Sequence, residues 1–358
     1  MDLHIVGGFL GSGKTTAIAA AARLLLGRGQ RVGVITNDQG RYLVDTAFFD
    51  ALRVPAVEIT HGCFCCNYDD LDARLEELIA AAQPDVIFAE SVGSCADVVA
   101  TVVNPLLALR TTPASFSVFA DARLLLARLR GAALPFADEV IYLFDQQIEE
   151  AGLLIANKCD LLTLDEIVEI RERVEQALPA KRLRLQSIYD PAAIEGWLIA
   201  LAAGEGQPGP ALPAIDYARY GAGEARLAWL DAALRIDADD RSGEAALAIM
   251  RGLRDQLAAA AIPIGHIKFA VGHGDSVAQH KVSLTTLNDA SEPIALPELP
   301  GGAISLLINA RAQTDAEALR ALLVALVDEA QHEFKVAIET LSLDSFHPSM
   351  PTPTHRMA

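Results

Sequence analysis

Long hydrophobic runs are missing from this sequence, and its first residues do not predict a leader segment. No stretch of eighteen apolar residues occurs, and the first residues enter an apolar strand without a basic segment or a cleavage site. A membrane span needs about 20 apolar residues, and a secretory signal needs those leader features. The sequence therefore predicts a protein without a membrane partner, and we expect a cytoplasmic location.

Positive charge is also scarce. The 358 residues include 29 Lys and Arg against 47 Asp and Glu, which gives a formal net charge of −18. Because nucleic-acid-binding proteins neutralise phosphates with basic surfaces, this balance argues against nucleic acid as a partner. It is compatible with cationic metals and with protein partners.

Cysteine is rare and unevenly placed. The chain has five cysteines, and three of them, Cys63, Cys65 and Cys66, lie within four residues. Cysteines spaced in this way do not form a disulfide framework, and in a reducing compartment clustered thiols indicate metal or redox chemistry. The hydrophobic fraction of 52% excludes a disordered chain, and the length favours two domains.

Residues 8–15, GFLGSGKT, match the pattern G-x-x-x-x-G-K-[ST] between an apolar strand and an Ala- and Leu-rich helix. This context is typical of a phosphate-binding loop, in which Lys14 neutralises β/γ-phosphate charge and the Thr15 hydroxyl contacts Mg²⁺. A plain glycine-rich turn is the alternative. The predicted nucleotide-binding residues of this segment are Gly8, Gly11, Ser12, Gly13, Lys14, Thr15 and Thr16.

Two acidic residues follow buried strands. Asp38 follows the run 31–36, and Glu90 follows the run 85–89. Open α/β sheets bind ligands at the carboxyl ends of their strands, and carboxylates there can hold Mg²⁺ directly or through water. We therefore predict that Asp38 and Glu90 act with Thr15 at Mg²⁺, and that Asp38, Gln39 or Glu90 positions the water that attacks the γ-phosphate.

Residues 157–160, NKCD, follow a further strand. A carboxylate at Asp160 can accept hydrogen bonds from N1 and N2 of guanine, which adenine cannot offer, so Asn157, Lys158 and Asp160 are predicted to bind the base of GTP or GDP. The alternative is a polar turn between strand and helix that Asp160 caps.

The Cys63, Cys65 and Cys66 cluster predicts a transition-metal site. Thiolates are soft ligands that suit Zn²⁺ or Co²⁺, and three of them leave a fourth position open for exchange. His61 is a candidate fourth ligand. Three buried structural thiols are the alternative, and Cys95 and Cys159 are assigned to core or loop.

Strand patterns alternate with helices of ten or more residues through the first 200 residues, which predicts an α/β fold with a mostly parallel, doubly wound sheet. After a Gly- and Pro-rich break, strands and two helices predict a smaller α+β domain. The expected divisions are a nucleotide-binding domain at 1–203, a linker at 204–214, an α+β domain at 215–344 and an extended tail at 345–358.

Four segments in this order resemble the CobW/HypB/UreG family of metal-handling P-loop GTPases, and most of all its CobW-like branch: residues 7–16, 62–67, 90–93 and 157–160. The resemblance implies a P-loop NTPase domain and a slow, Mg²⁺-dependent GTPase. It also implies a metallochaperone or metallocentre activator that binds metal at the Cys-x-Cys-Cys motif, acts on a client metalloprotein, and dimerises or docks according to the nucleotide. Lys14, Asp38 and Glu90 take the catalytic roles in this scheme.

Two departures from the branch concern the metal and the client. Residues 37–40, NDQG, stand where the branch usually has Asn-Glu-x-Gly, and the second half lacks the familiar CobW sequence and any His-rich tract. The tail sequence PTPTHR is similar to CobW-like proteins associated with corrinoid-dependent methyl transfer, which makes a corrinoid protein an alternative client. Further alternatives are a metal store or sensor stabilised by nucleotide, and a nucleotide kinase, in which Asp160 and the thiols would have no role.

Overall fold

The computed structural model divides the chain into two compact units, and each unit is made of separate pieces of sequence. Unit 1 contains Met1–Gln39, Leu52–Gly223 and Met350–Ala358, and unit 2 contains Gly40–Ala51 and Glu224–Ser349. The predicted linker at 204–214 lies inside unit 1. The structure describes residues 1–37, 44–60, 62–109, 114–237, 241–274, 280–288, 293–294, 296 and 302–357.

Unit 1 is built on a parallel sheet that has seven strands among the described residues, in the order β3-β2-β4-β1-β5-β6-β7. All its strand pairs are parallel, which confirms the predicted sheet. Strands β2 and β4 are buried along their whole length, as uninterrupted apolar runs require. The strands are β1 (Asp2–Gly8), β2 (Val32–Asn37), β3 (Ala56–Ile59), β4 (Val86–Glu90), β5 (Ala114–Asp121), β6 (Leu153–Asn157) and β7 (Arg182–Gln186).

Helices connect these strands. The strand order runs away from β1 in both directions, so right-handed crossovers place helices on both faces of the sheet. A π-helical turn, Val99–Val103, leads directly into α4. The helices of this part are α1 (Lys14–Gly27), α3 (Tyr68–Ala82), α4 (Asn104–Leu109), α5 (Ala122–Leu129), α6 (Asp138–Glu150), α7 (Leu164–Ala177), α8 (Pro191–Ala202) and α9 (Tyr217–Ala225), while α2 (Val44–Ala51) belongs to unit 2.

Helix α8 shows how a face of this sheet is covered. Trp197 is fully buried, and its ring lies 5.1 Å from that of Phe119 and 5.7 Å from that of Phe88. Its indole N–H donates to Ser117 Oγ at 3.1 Å, so the one polar group of the side chain is satisfied. One aromatic side chain therefore holds the helix to β4 and β5, the two strands that flank β1.

Unit 2 contains an antiparallel sheet in the order β10-β9-β11-β8-β12. Helices α10 and α11 cover one face, and the element order agrees with the predicted α+β domain. The elements are β8 (Ala228–Asp237), α10 (Ser242–Ala259), β9 (Ile264–His273), β10 (His280–Leu284), β11 (Ile304–Ala312), α11 (Ala316–Phe334) and β12 (Ala337–Phe346).

The opposite face of this sheet receives helix α2, which the sequence did not reveal. Val44 packs on Ala233, Ala270 and Leu307. These side chains alternate along their strands with those under α10 and α11, as a period of two demands. A helix that lies between β2 and β3 in the sequence is thus part of the core of unit 2.

Within the described part of the chain, no helix is both long enough and apolar enough to cross a membrane.

Candidate nucleotide and metal site

The phosphate-loop segment joins the end of β1 to the start of α1, and its backbone needs glycine at two points. Gly8 has φ +128°, and a Cβ there would lie 2.1 Å from the Phe119 carbonyl oxygen. Gly13 has φ +90°, and a Cβ there would lie 2.4 Å from Asn157 Nδ2. Gly11 also has a positive φ, of 69°. Positive φ values at glycines are typical of loops whose N–H groups converge on an anion.

Lys14 is buried with its ammonium group turned onto the loop itself. Nζ donates to the carbonyl oxygens of Gly8, at 2.7 Å, and Phe9, at 3.3 Å, and the residue is 6% exposed. A buried ammonium group held by neutral carbonyls is well placed to exchange them for phosphate oxygens. Ser12 is buried beside it, and Thr16 is half-buried in the first turn of α1.

Thr15 and Glu90 meet at the predicted Mg²⁺ site. Thr15 Oγ1 donates to Glu90 Oε1 at 2.9 Å, and both residues are buried. A hydroxyl and a carboxylate in contact beside the phosphate loop are a donor set that fits Mg²⁺, which prefers oxygen ligands and keeps several waters. Asp38 and Gln39 lie outside the described residues, as does His61.

The predicted base-binding motif is joined to the phosphate loop. Asn157 Nδ2 donates to the Ser12 carbonyl oxygen at 2.8 Å. Lys158 adopts the left-handed conformation, with φ 64°, and its Nζ lies 3.1 Å from Asp121 Oδ2. Asp160 lies exposed on the short 3₁₀ turn that follows, where its carboxylate faces solvent.

Asp121 is a site residue that sequence reasoning did not assign. Burial alone would raise the pKa of this carboxyl, but Arg123 and Lys158 outweigh burial and lower it. Arg123 contacts both oxygens, at 3.1 Å from Nε and 2.8 Å from Nη2. The charged carboxylate thereby orients Lys158. The sequence feature that could have identified Asp121 is its position as an acid at the end of a third buried strand.

Asn37, at the end of β2, shapes the loop that carries the cysteines. Its Nδ2 donates to the carbonyls of Ile59, at 3.1 Å, and Gly62, at 2.7 Å, while its Oδ1 accepts from Phe64 N at 2.9 Å. Asn37 directly precedes Asp38 in the chain. The cysteine loop and the segment predicted to reach Mg²⁺ are therefore tied together by one buried side chain.

The three clustered thiols converge. The sulfur of Cys66 lies 3.3 Å from that of Cys63 and 3.7 Å from that of Cys65, and all three lie within 4.8 Å of one another. Sulfurs that share a tetrahedral Zn²⁺ with bonds of about 2.3 Å are about 3.8 Å apart. The cluster therefore fits a single thiophilic ion with small adjustments.

The thiols differ in acidity because they hydrogen-bond to one another. Contacts from Cys65 and Cys66 lower the pKa of Cys63 well below its usual range. Contacts with Cys63 and Cys66 raise the pKa of Cys65, and the contact with Cys63 raises that of Cys66 to about 11. The hydrogen bonds within the cluster thus favour the thiolate form of Cys63 over that of Cys65 or Cys66, and a metal cation would displace protons from the thiols that it binds.

Cys95 joins this cluster, although sequence reasoning assigned it to core or loop. Its thiol hydrogen-bonds with those of Cys63 and Cys65, and the residue is 2% exposed. Its carbonyl oxygen accepts from Gln147 Nε2 at 2.8 Å. Cys95 belongs to the loop that begins at Glu90, so one short loop contacts both the phosphate-loop threonine and the thiol cluster. In the sequence, the short distance from Glu90 to Cys95 is the one feature that could have indicated that Cys95 lies near the site.

Comparison with known proteins agrees with these features. Residues 2–184 match the family model described as CobW/HypB/UreG, nucleotide-binding domain. The chain is 27% identical over 212 residues to the zinc chaperone CobW of Sinorhizobium sp, across 51% of this chain and 58% of that protein. It is 30% identical over 169 residues to the zinc chaperone YeiR of Escherichia coli (strain K12), across 45% of this chain and 47% of that protein.

Among solved structures, HypB from Helicobacter pylori in complex with nickel superimposes with a TM-score of 0.43 and 17% identity, over 59% of this chain and 91% of that one. The chain spans about half the length of the curated relatives that it matches. Since the family model covers more than half of the 358 residues, the chain belongs to the CobW/HypB/UreG family of nucleotide-binding proteins.

Proposed function

We propose that this protein binds and hydrolyses GTP and couples the nucleotide state to the handling of a thiophilic metal ion for a client metalloprotein. The observation that carries the proposal is the loop from Glu90 to Cys95. Glu90 accepts a hydrogen bond from Thr15 in the phosphate loop, and the Cys95 thiol contacts the metal-binding cysteines. Because only six residues separate the two ends of this loop, a displacement of Glu90 should also displace Cys95.

Hydrolysis needs little covalent help from the protein, because phosphoryl transfer depends on positioning and charge stabilisation. Lys14 and the loop N–H groups oppose the charge that develops on the γ-phosphate. Thr15 and Glu90 would hold Mg²⁺, with Asp38 as a second acid, and the ion would supply positive charge against the phosphate oxygens. Asp38, Gln39 or Glu90 positions the attacking water. Asp160 selects guanine.

The cargo that fits the cluster is Zn²⁺, with Co²⁺ as the second candidate, since thiolates favour soft and borderline ions. The relatives' names support zinc: two are zinc chaperones, and a third, 23% identical, is the zinc-regulated GTPase metalloprotein activator 1 of Dictyostelium discoideum. Cys63, Cys65 and Cys66 supply three sulfurs that lie within 4.8 Å of one another, and the Cys95 thiol beside them is the candidate for a fourth.

The test is a metal titration in three nucleotide states. Zn²⁺ or Co²⁺ affinity is measured with a non-hydrolysable GTP analogue, with GDP and without nucleotide. Thermodynamic linkage requires the metal to change the affinity for GTP by the same factor by which GTP changes the affinity for the metal. Between coupled sites this factor is about 5 to 150. The variant Lys14→Ala should lose GTP turnover. Lys181→Ala is the control, because that ammonium also donates to backbone carbonyls but lies outside the site.

The outcomes separate the proposal from its rival. Equal metal affinity in all three states, with measurable turnover, would leave a GTPase that carries thiols. Tight metal binding without GTP turnover would favour a metal store or sensor that nucleotide only stabilises. Turnover that Lys14→Ala leaves intact would remove the phosphate-loop assignment itself.

A further inference from the structure

The segment Met350–Met357 lies along the cysteine loop within unit 1. Thr352 N donates to the sulfur of Cys66 at 3.3 Å. Thr354 N donates to the Cys65 carbonyl oxygen at 2.9 Å, and Thr354 Oγ1 donates to the Cys66 carbonyl oxygen at 3.1 Å. Residues almost 300 positions away in the chain are thus bonded to a metal-binding thiol and to the backbone that carries it.

The sequence of this segment explains its contacts. Prolines occupy positions 351 and 353 and have no N–H to donate. The residue before a proline is restricted to extended conformations, in which alternate residues face the same side. The N–H groups of Thr352 and Thr354 therefore point together toward residues 65 and 66. Pro351 is buried, whereas the threonine side chains are exposed.

A charged pair holds the end of the segment. Arg356 Nε donates to Asp97 Oδ2 at 2.8 Å, and Arg356 Nη2 donates to the Leu212 carbonyl oxygen at 2.8 Å. Asp97 is fully buried, and its Oδ2 also accepts from the Tyr217 hydroxyl at 2.7 Å. Asp97 lies two residues after Cys95, so the anchor sits on the loop that begins at Glu90.

We propose that residues 350–357 form a cover over the cysteine cluster that slows the entry and release of a thiophilic divalent ion, with the Arg356–Asp97 pair as its catch. The cover shields Cys66, the most accessible of the three thiols. The Thr352 N–H group hydrogen-bonds to the Cys66 sulfur, which an incoming metal ion or a protein that takes up the metal must reach. The role in metal release rests on the proposed function, whereas the shielding of Cys66 does not.

The first experiment measures shielding in the metal-free, reduced protein. Iodoacetamide alkylation of Cys66 is followed by peptide mass spectrometry, with Cys159 as the internal reference. Thr352→Pro removes the N–H donor, and Thr352→Ala keeps it. Arg356→Ala removes the catch, and Arg128→Ala removes an exposed ion pair with Asp145 in the same unit. We expect Cys66 alkylation at least tenfold faster in Thr352→Pro and Arg356→Ala, and unchanged in the two controls.

The second experiment loads the same full-length variants with Zn²⁺ and follows its transfer to a chromogenic chelator. We expect transfer at least tenfold faster from Thr352→Pro and Arg356→Ala. Unchanged alkylation in both variants would overturn the cover. Faster alkylation with unchanged transfer would overturn its role in metal release. If the unmodified protein binds no Zn²⁺ while alkylation still responds, the proposed function fails and the shielding stands.

Discussion

At the scale of single residues, we expect Asp160 to decide which base is accepted. Its exposed carboxylate can accept two hydrogen bonds from guanine, and a base without those donors leaves the carboxylate unpaired. Asp160→Asn should weaken GTP binding about a hundredfold or more and favour xanthosine triphosphate, because an amide can donate where xanthine has a carbonyl. Calorimetric titration with both nucleotides measures this exchange.

The matched control is Asp165→Asn, an exposed aspartate in the first turn of α7. Its nucleotide affinities should equal those of the unmodified protein. ATP bound as tightly as GTP by the unmodified protein would show that Asp160 does not select the base.

Cys95 offers a second prediction at this scale. Its thiol contacts Cys63 and Cys65, so Cys95→Ser should remove one sulfur from the bound ion. We expect Zn²⁺ affinity to fall about tenfold or more, and the sulfur-to-metal charge-transfer absorption of the Co²⁺ form to weaken. Cys159→Ser replaces a half-exposed cysteine elsewhere and should change neither. Identical Co²⁺ spectra for both variants would exclude Cys95 as a ligand.

Sequence reasoning predicted some residues of the candidate site and missed others for a physical reason. Lys14 and Thr15 belong to a contiguous motif whose backbone geometry is set by its own glycines. Asn37, Asp121 and Cys95 act on segments distant in the chain, and their neighbours in sequence do not encode those contacts.

At the scale of elements, helix α6 ends in a buried acid. Glu150 is fully buried at the helix C-terminus, where the helix dipole disfavours negative charge. Burial raises its pKa to about 8, although the Val99 N–H that donates to Oε2 at 3.1 Å opposes the shift. The protonated side chain therefore joins α6 to the π-helical turn near neutral pH.

This shift predicts a pH dependence of stability. The pKa in the folded state exceeds the usual 4.5, so the stabilising contribution is complete below pH 4.5 and is lost as pH rises through about 8. The full loss is on the order of 4 kcal/mol. Glu150→Gln should remove most of this dependence, because an amide keeps the acceptor without the charge.

Urea unfolding of the unmodified protein and of Glu150→Gln, at several pH values between 5 and 8.5, measures the difference. Comparing the two proteins at each pH cancels the contributions of other titrating groups. The exposed neighbour Glu149 supplies the control, since Glu149→Gln should leave the pH dependence as it was. A constant difference between Glu150→Gln and the unmodified protein would show that Glu150 is ionised throughout.

Whole elements were predicted well where they coincide with a local pattern. Short β-branched runs ended by polar turns located the strands of the parallel sheet, since such runs can only be buried between helices. Helix α2 escaped notice because the contact of Val44 is with strands of unit 2 that lie far away in the sequence, and only the fold brings them to it.

At the scale of the whole molecule, α2 links the two units through the chain. Val44 N donates to Asn309 Oδ1 at 3.0 Å. Asp45 contacts Lys268 and, at 2.6 Å, Lys281. Burial would raise the Asp45 pKa, but the two ammonium groups hold it below its usual range. Helix α2, which follows the Asp38 segment in the chain, thus packs within unit 2. We therefore expect the stability of unit 2 to depend on the nucleotide that the Asp38 segment is predicted to contact.

Hydrogen exchange tests this response. In the unmodified protein, α2 and β9 should exchange more slowly with a GTP analogue than with GDP. Asp45→Asn removes the negative charge that both Lys268 and Lys281 contact, so α2 should lose protection and the nucleotide effect on β9 should disappear. Asp50→Asn, on the exposed side of the same helix, is the control. A nucleotide effect on β9 that persists in Asp45→Asn would exclude α2 as the link.

The sequence by itself predicted the phosphate loop, the base motif, the cysteine cluster and the alternation of strands and helices. Each of these depends on neighbouring residues whose backbone demands are local, such as Gly8 and Gly13 with positive φ. Only the tertiary structure decided that Cys95 joins the cluster, that α2 belongs to unit 2 and that Thr352 bonds to Cys66. Such contacts join segments far apart in the chain, and their partners are chosen by packing and hydrogen bonding that no local pattern records.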